Sequence, residues 1–443
     1  RIGFFDLRGL SNSMKIQKIS SVLGLAAIVF VLMATLVRAQ GNGQQYVQHE
    51  VVVKLNRASD LAAIASQYGL NSSPLSQMGD RPVFRLRIAN NIPVEQVVSL
   101  LQADPLSRVS VAEPNYVIST PVAGRTPWSL GGSWSIGWPW WNSLLGARAY
   151  GTQWMRQRLD LQAAQSISRG AGVTIAVLDT GIDTVHPLFS GKLLSGYDFV
   201  DNDNDPSEVG NATNGAFGHG THVAGIVATV APDAKIIPIR VLDQNGEGDV
   251  WRLARALVYA SDPDGDPNTD DGADIINLSL GTTGRTDLIK RLIAAETEDG
   301  TGVEDPGLPH IGYPGIVVVV AAGNTGNGTK IYPAAEHDVP GLIAVGASGL
   351  NDTVSDFSTR GEWVELMAPG DRIVSSVPGG RYGIWRGTSM AAPIVSAIAA
   401  LVRSRYPGLK PTGVFVHIRH TAVSCNGAIS RRVDAKRAVT IAP

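Results

Sequence analysis

Three side chains of the types that make a hydrolytic nucleophile occur in this order: Asp179 in AVLDTGID (176–183), His219 in GHGTHVAG (218–225) and Ser389 in GTSMAAP (387–393). A hydroxyl becomes a nucleophile when an imidazole takes its proton and a buried carboxylate holds that imidazole in the right tautomer. Taken singly, the aspartate reads as a turn former, the histidine as structural and the serine as a helix cap. Their local frames raise them above that. Asp179 closes an apolar run, and ligands of open α/β sheets gather at strand carboxyl ends. Gly218 and Gly220 flank His219 and allow close backbone approach. Ser389 precedes a small-residue helix expected from Ala391, whose first turn suits Pro393 and whose N-terminus favours an oxyanion. Asn324 follows the run Ile316–Ala321, at another strand end, where its amide can donate to the same oxyanion.

These side chains need a scaffold. Apolar runs at Val173–Leu178, Ile236–Leu242, Ile275–Leu280, Ile316–Ala321 and Leu342–Val345 read as strands. Between or after them, His222–Val230, Val250–Ala260, Asp287–Glu298, Ala391–Arg403 and Thr412–Val423 read as helices. Near-continuous apolar strands alternating with helices predict an α/β fold with a parallel sheet covered on both faces. Residues 47–118 follow a β-α-β-α-β order, the pattern of a small α+β unit. Residues 119–150 hold five of the nine tryptophans (Trp128, Trp134, Trp138, Trp140 and Trp141) and show no period, as expected of a linker.

The segments carrying these four side chains resemble the subtilisin-like serine proteases over residues 150–443. Ala231-Pro232-Asp233-Ala234, Asn277-Leu278-Ser279-Leu280-Gly281, Tyr332-Pro333-Ala334 and Ala368-Pro369-Gly370 extend the resemblance. It implies a three-layer subtilisin-like catalytic domain in which Asp179, His219 and Ser389 form the triad and Asn324 the oxyanion donor. It also implies substrate strands at Gly246-Glu247-Gly248 and at Ser279, Leu280 and Gly281, with Ala322 and Gly323 lining the primary pocket. Residues 47–118, ending in Val111-Ala112-Glu113-Pro114-Asn115-Tyr116, resemble the family's inhibitor-type propeptide. Its cleavage is expected within 119–150. The partners implied are peptide or protein substrates and the chain's own propeptide. A non-catalytic binding protein on this scaffold and an esterase with the same triad are the rival readings. The intact chemical residues disfavour the first, and the strand-pairing segments the second.

Charge and composition narrow the setting. A net charge of −2 on 443 residues, with lysine and arginine spread along the chain, points away from nucleic acid and membrane surfaces. One cysteine, Cys425, excludes an internal disulfide. Residues 14–39 run from Met14 through two lysines and the uncharged stretch Val22–Val37 to Val37-Arg38-Ala39, the pattern of a secretory signal peptide. Residues 1–13 are expected to lie upstream of the true start, and the mature protein to be secreted from a bacterium as a monomer. The chemistry needs no cofactor, but calcium is expected as a structural ion. Asp262, Asp264, Asp266 and Asp270 sit in one acidic loop, and Asp201, Asp203 and Asp205 in a second. His186, His222, His310 and His337 lack the spacing of a zinc site.

Overall fold

A computed structural model describes residues 38–41, 44–120, 143–266, 269, 271–297 and 315–443. The signal run up to Val37, the five linker tryptophans, His310 and Asp270 lie outside the described residues.

The N-terminal layer comprises β1 (Gln44–Leu55), α1 (Leu61–Tyr68), β2 (Val83–Arg87), α2 (Val94–Gln102) and β3 (Val109–Ser119). A two-residue strand at Ser76–Gln77, too short to announce itself in the sequence, joins the edge of β2. β1 pairs antiparallel with both β2 and β3. Alternation gives this sheet two apolar faces. Val51, Val53, Leu86 and Ala112 pack under α1 and α2 with Ile64, Val97 and Leu101. Val52, Val83, Val111 and Ile118 face the other way and join a second core.

That second core belongs to the main domain. The elements that frame the site include, in chain order, β4 (Thr174–Asp179), α3 (His219–Val230), β5 (Lys235–Arg240), β6 (Glu247–Asp249), α4 (Val250–Ser261), β7 (Ile275–Leu278), α5 (Asp287–Thr297), β8 (Val317–Ala321), β9 (Leu342–Ser348) and β10 (Leu366–Pro369). A hairpin, β11 (Ile373–Val377) and β12 (Arg381–Trp385), leads into α6 (Thr388–Arg405) and α7 (Pro411–Thr421). The strands β10-β9-β8-β7-β4-β5 are adjacent in that order and parallel throughout. Side-chain alternation divides them between two layers. Ile175, Val177, Val317 and Val319 meet α3, α6 and α7, whereas Ala176, Leu178, Ile276, Val318 and Val320 meet α4 and α5. This is the three-layer α/β arrangement expected, with the N-terminal sheet laid on the outside of α4 and α5.

Chain order reverses at β4, which has β5 on one side and β7 on the other. A crevice opens at such a switch point, outside the strand carboxyl ends. Two helix starts differ from the sequence expectation. α3 begins at His219 and α6 at Thr388, each three residues early, because glycines at 218 and 387 permit the turn that launches the helix. Ser389 is therefore inside the first turn of α6, and Pro393 is inside the helix rather than in that turn. Among the described residues no helix is long and apolar enough to cross a membrane.

Candidate active site

Asp179 ends β4 fully buried, and His219 opens α3 only 2% exposed. Their side chains meet with Nδ1 of His219 2.7 Å from Oδ1 of Asp179. The same Oδ1 accepts the Thr180 N–H at 2.8 Å. The approach depends on Gly220, where a Cβ would sit 2.1 Å from the Gly181 carbonyl and 3.1 Å from Cβ of Asp179. Nε2 of His219 is buried and has no hydrogen-bond partner. Ser389, 1% exposed, turns its hydroxyl to the Ser279 carbonyl at 3.5 Å instead.

Pro393 shapes the surroundings of Ser389. It has no N–H to give the Ser389 carbonyl four residues back. Oγ of Ser279 takes that place, donating to the Ser389 carbonyl at 3.0 Å. Nδ2 of Asn277 donates to Oγ of Ser279 at 3.0 Å, and Oγ of Ser396 donates to Oδ1 of Asn277 at 2.9 Å. A buried polar chain thus ties α6 to the end of β7.

Asn324 follows β8. Its Oδ1 accepts from the Thr388 N–H at 2.9 Å and from the Thr388 hydroxyl at 3.1 Å. Both bonds turn the Nδ2 donor away from Thr388, and a Cβ on Gly387 would come within 3.1 Å of that nitrogen. The Thr388 hydroxyl also accepts the Gly323 N–H at 3.1 Å. Sequence reasoning missed Thr388, although it lies inside GTSMAAP. Trp385, stacked on buried His222 with ring centroids 4.9 Å apart and tilted against His219 at 5.7 Å, was missed as well. Burial and the neighbouring His219 lower the His222 pKa to about 3, so this ring is neutral.

The chain's own β3 runs between the two expected substrate segments. Val117, Ile118 and Ser119 stand opposite Asp249, Gly248 and Glu247. Ser119 exchanges both backbone bonds with Gly281 at 2.9 Å, and the Thr120 N–H donates to the Gly246 carbonyl at 3.0 Å. A Cβ at Gly246 would meet Ala216 and Thr120 at 2.7 Å, and one at Gly248 would meet the Val241 carbonyl at 2.4 Å and Ile118 at 3.3 Å. The side chain of Leu280 is buried in the core that also takes Ile118. Ala322 departs from expectation. Its methyl packs with Val364, Met367 and Ile429 in a separate small core, leaving only backbone for a pocket wall.

β3 also supplies anchors. Oε2 of Glu113 accepts the Asp287 N–H at 2.7 Å and the Leu288 N–H at 3.5 Å, capping α5. Oδ1 of Asn115 accepts the Trp251 N–H at 3.1 Å on the first turn of α4. Both meet helix N-termini, where backbone donors lack partners. Burial, opposed by these N–H bonds, pushes the Glu113 carboxyl up to about 8.

The acidic loops behave differently from one another. Carboxylate oxygens of Asp262, Asp264 and Asp271 lie within 4.8 Å of one another. Asp271 takes the place expected of Asp266, which does not join the group. Oδ1 of Asp262 is buried without a partner, and burial plus repulsion from Asp264 and Asp262 raises the Asp271 pKa. This oxygen set fits a hard divalent cation. The second loop is arranged differently. Asp201 spends its charge on Arg240 at 2.5 Å, beside Asp198 at 2.5 Å. Asp203 and Asp205 accept backbone N–H groups two residues on, at 2.9 and 3.1 Å. Unlike those of the first loop, these three carboxylates are not gathered on one point among the described residues; one oxygen of each is engaged by an arginine or a local turn.

Comparison with known proteins agrees with this geometry. Residues 170–438 match the Subtilase family and residues 33–115 the fervidolysin N-terminal prodomain. A thermophilic serine proteinase from Bacillus sp. (strain AK1) is 35% identical over 374 residues, spanning 81% of this chain and 79% of that protein. Thermitase from Thermoactinomyces vulgaris is 37% identical over 308 residues, 66% of this chain and 96% of its own. The crystal structure of fervidolysin from Fervidobacterium pennivorans, a keratinolytic enzyme related to subtilisin, superposes with a TM-score of 0.69 at 26% identity. The alignment covers 91% of this chain but 62% of fervidolysin's. With its main domain matched over more than half of its 443 residues and a prodomain match before it, the chain belongs to the subtilase family and is a serine endopeptidase.

Proposed function

We propose that the chain is a secreted, self-processing endopeptidase in which Ser389 is the nucleophile, His219 the general base, Asp179 its orienter and Asn324 the oxyanion donor. The observation that carries this reading is the course of β3. The residues that end the N-terminal layer, Val117–Thr120, occupy the strand position between Gly246–Asp249 and Gly281 beside Ser389. A peptide added as a strand is gripped through its main chain, and pockets such as that of Ile118 supply selectivity.

In the reaction, Oγ of Ser389 turns from the Ser279 carbonyl to Nε2 of His219. It attacks the peptide carbonyl as the imidazole takes its proton, and Asp179 stabilises the imidazolium. Nδ2 of Asn324, aimed by Thr388, and the Ser389 N–H in the first turn of α6 hold the oxyanion. His219 returns the proton to the leaving amine, and water repeats the sequence on the acyl-enzyme. The domain bounds proposed are a signal peptide at 14–39, a propeptide at 47–118, a maturation region at 119–150 and the peptidase at 150–443. Asp262, Asp264 and Asp271 would hold calcium, which would brace the loop after α4 and take no part in the chemistry.

The test expresses the chain from Met14, wild type beside Ser389→Ala, and follows intact mass and N-terminal sequence. Trimming within 119–150 in wild type alone supports self-processing. Wild type that stays full length and takes no fluorophosphonate after limited trypsin digestion would sink the triad assignment.

A further inference from the structure

Glu208 lies in the loop before α3, outside all the motifs above. The residue is half-buried, but its carboxyl is turned inward beneath Asp179 and His219. Oε1 accepts the Thr180 hydroxyl at 2.7 Å. Oε2 accepts the Thr221 hydroxyl at 2.8 Å and the Thr221 N–H at 3.3 Å. Thr180 follows Asp179 at the end of β4, and Thr221 follows His219 by two residues on α3. One carboxyl group therefore spans the two segments that carry the proton-transfer pair.

The two hydroxyls report its charge. Thr180 Oγ1 accepts the Gly220 N–H at 2.9 Å, and Thr221 Oγ1 accepts the Asp183 N–H at 2.9 Å. Each has one proton left, and each gives it to Glu208. Each of these contacts of the carboxyl is with a donor, the arrangement that favours its ionised form. Burial first, and the Asp179 charge with it, push this carboxyl above the usual range, while the hydroxyls and the Gly218 N–H pull it back. Gly218, the residue preceding α3, offers no side chain to cap the helix. A carboxylate at that end is also favoured by the helix dipole. The titratable groups around the clamp are Asp179 on β4, Asp183 in the turn after it, and His219 and His222 on α3.

We propose that Glu208 is a positioning residue for the proton transfer: its carboxylate ties the Asp179 segment to the His219 segment and adds negative charge behind Asp179. The inference rests on the triad reading above. Loss of this charge moves the acid limb of turnover to lower pH, since a nearby negative charge favours the imidazolium. Loss of the tie alone misplaces the pair without that shift.

Full-length Glu208→Gln, Glu208→Asp and Thr221→Val are matured by limited trypsin digestion beside wild type. A fluorophosphonate then counts reactive serines, and kcat and KM for one peptide are followed across the acid limb. For Glu208→Gln, kcat per labelled site is expected to fall about tenfold or more. KM stays within about twofold, and the acid limb moves to lower pH. Glu208→Asp, which keeps the charge, restores the acid limb, and Thr221→Val lowers kcat with the limb unmoved. Unchanged kcat per site and an unmoved limb in Glu208→Gln would overturn the proposal. So would a loss confined to the number of labelled sites, which is what a purely structural role produces. An inert, unlabelled wild type would instead remove the triad reading, and this inference with it.

Discussion

Pro393 stands one helical turn beyond Ser389, and the N–H it lacks leaves the Ser389 carbonyl to the hydroxyl of Ser279. The helix that carries the proposed nucleophile is thereby fastened to the proposed substrate segment at the same residue. Ser279→Ala removes that donor and strips Asn277 of its acceptor. Thermal unfolding is expected to show a loss of about 1–3 kcal/mol for the buried groups left unpaired. Turnover per reactive serine should fall with it, because the first turn of α6 loses its anchor.

Asn324 is held by Thr388 so that its amide nitrogen remains for the oxyanion. Asn324→Leu is expected to lower kcat by ~10²–10³, a magnitude taken from subtilisin itself. KM should change little, since the donor acts on the transition state. Equal loss in kcat and gain in KM would argue against this role.

Glu113 makes the grip of the N-terminal layer depend on pH. Its ordinary pKa is near 4.5, and burial against α5 raises it to about 8. The docked form therefore binds a proton more tightly than the separated one. Docking is favoured below pH 4.5 and loses that contribution as pH rises toward 8, by at most about tenfold per unit. Inhibition of the matured enzyme by separately added residues 47–118 should weaken across this window. Glu113→Gln should flatten the dependence, and an unchanged slope would refute it.

Calcium removal tests the loop after α4. With Asp262, Asp264 and Asp271 gathered, a chelator is expected to lower the thermal midpoint of the full chain. Saturating calcium at 100 times its dissociation constant would contribute about 2.7 kcal/mol. Asp264→Asn should abolish that response, whereas Asp203→Asn should leave it intact.

The strands of the main sheet were legible because each is an apolar run buried on both faces, as in Val317–Ala321. The catalytic side chains were legible because glycines and small residues around them leave few other readings. Position in space was harder. Glu208 contacts Thr180 and Thr221 through a loop with no periodicity, so nothing local marks it. Asp201 gave no sign in the sequence of its ion pair with Arg240, on a strand far along the chain. The sequence reading ended the propeptide at residue 118 and did not foresee that β3 runs to Ser119 between the two expected substrate segments.

The N-terminal sheet is clad on both faces, by α1 and α2 on one side and by α4 and α5 on the other. That packing does not rely on a covalent link between the two halves. Cutting the chain after β3 therefore leaves Val52, Val83 and Val111 where they were, with water as their alternative. On the proposed reading a nicked molecule would still be a blocked one, and activation would require destroying the occupant rather than severing it. The delay before activity would then be set by how soon another molecule digests that cover, so activation should accelerate as active copies accumulate.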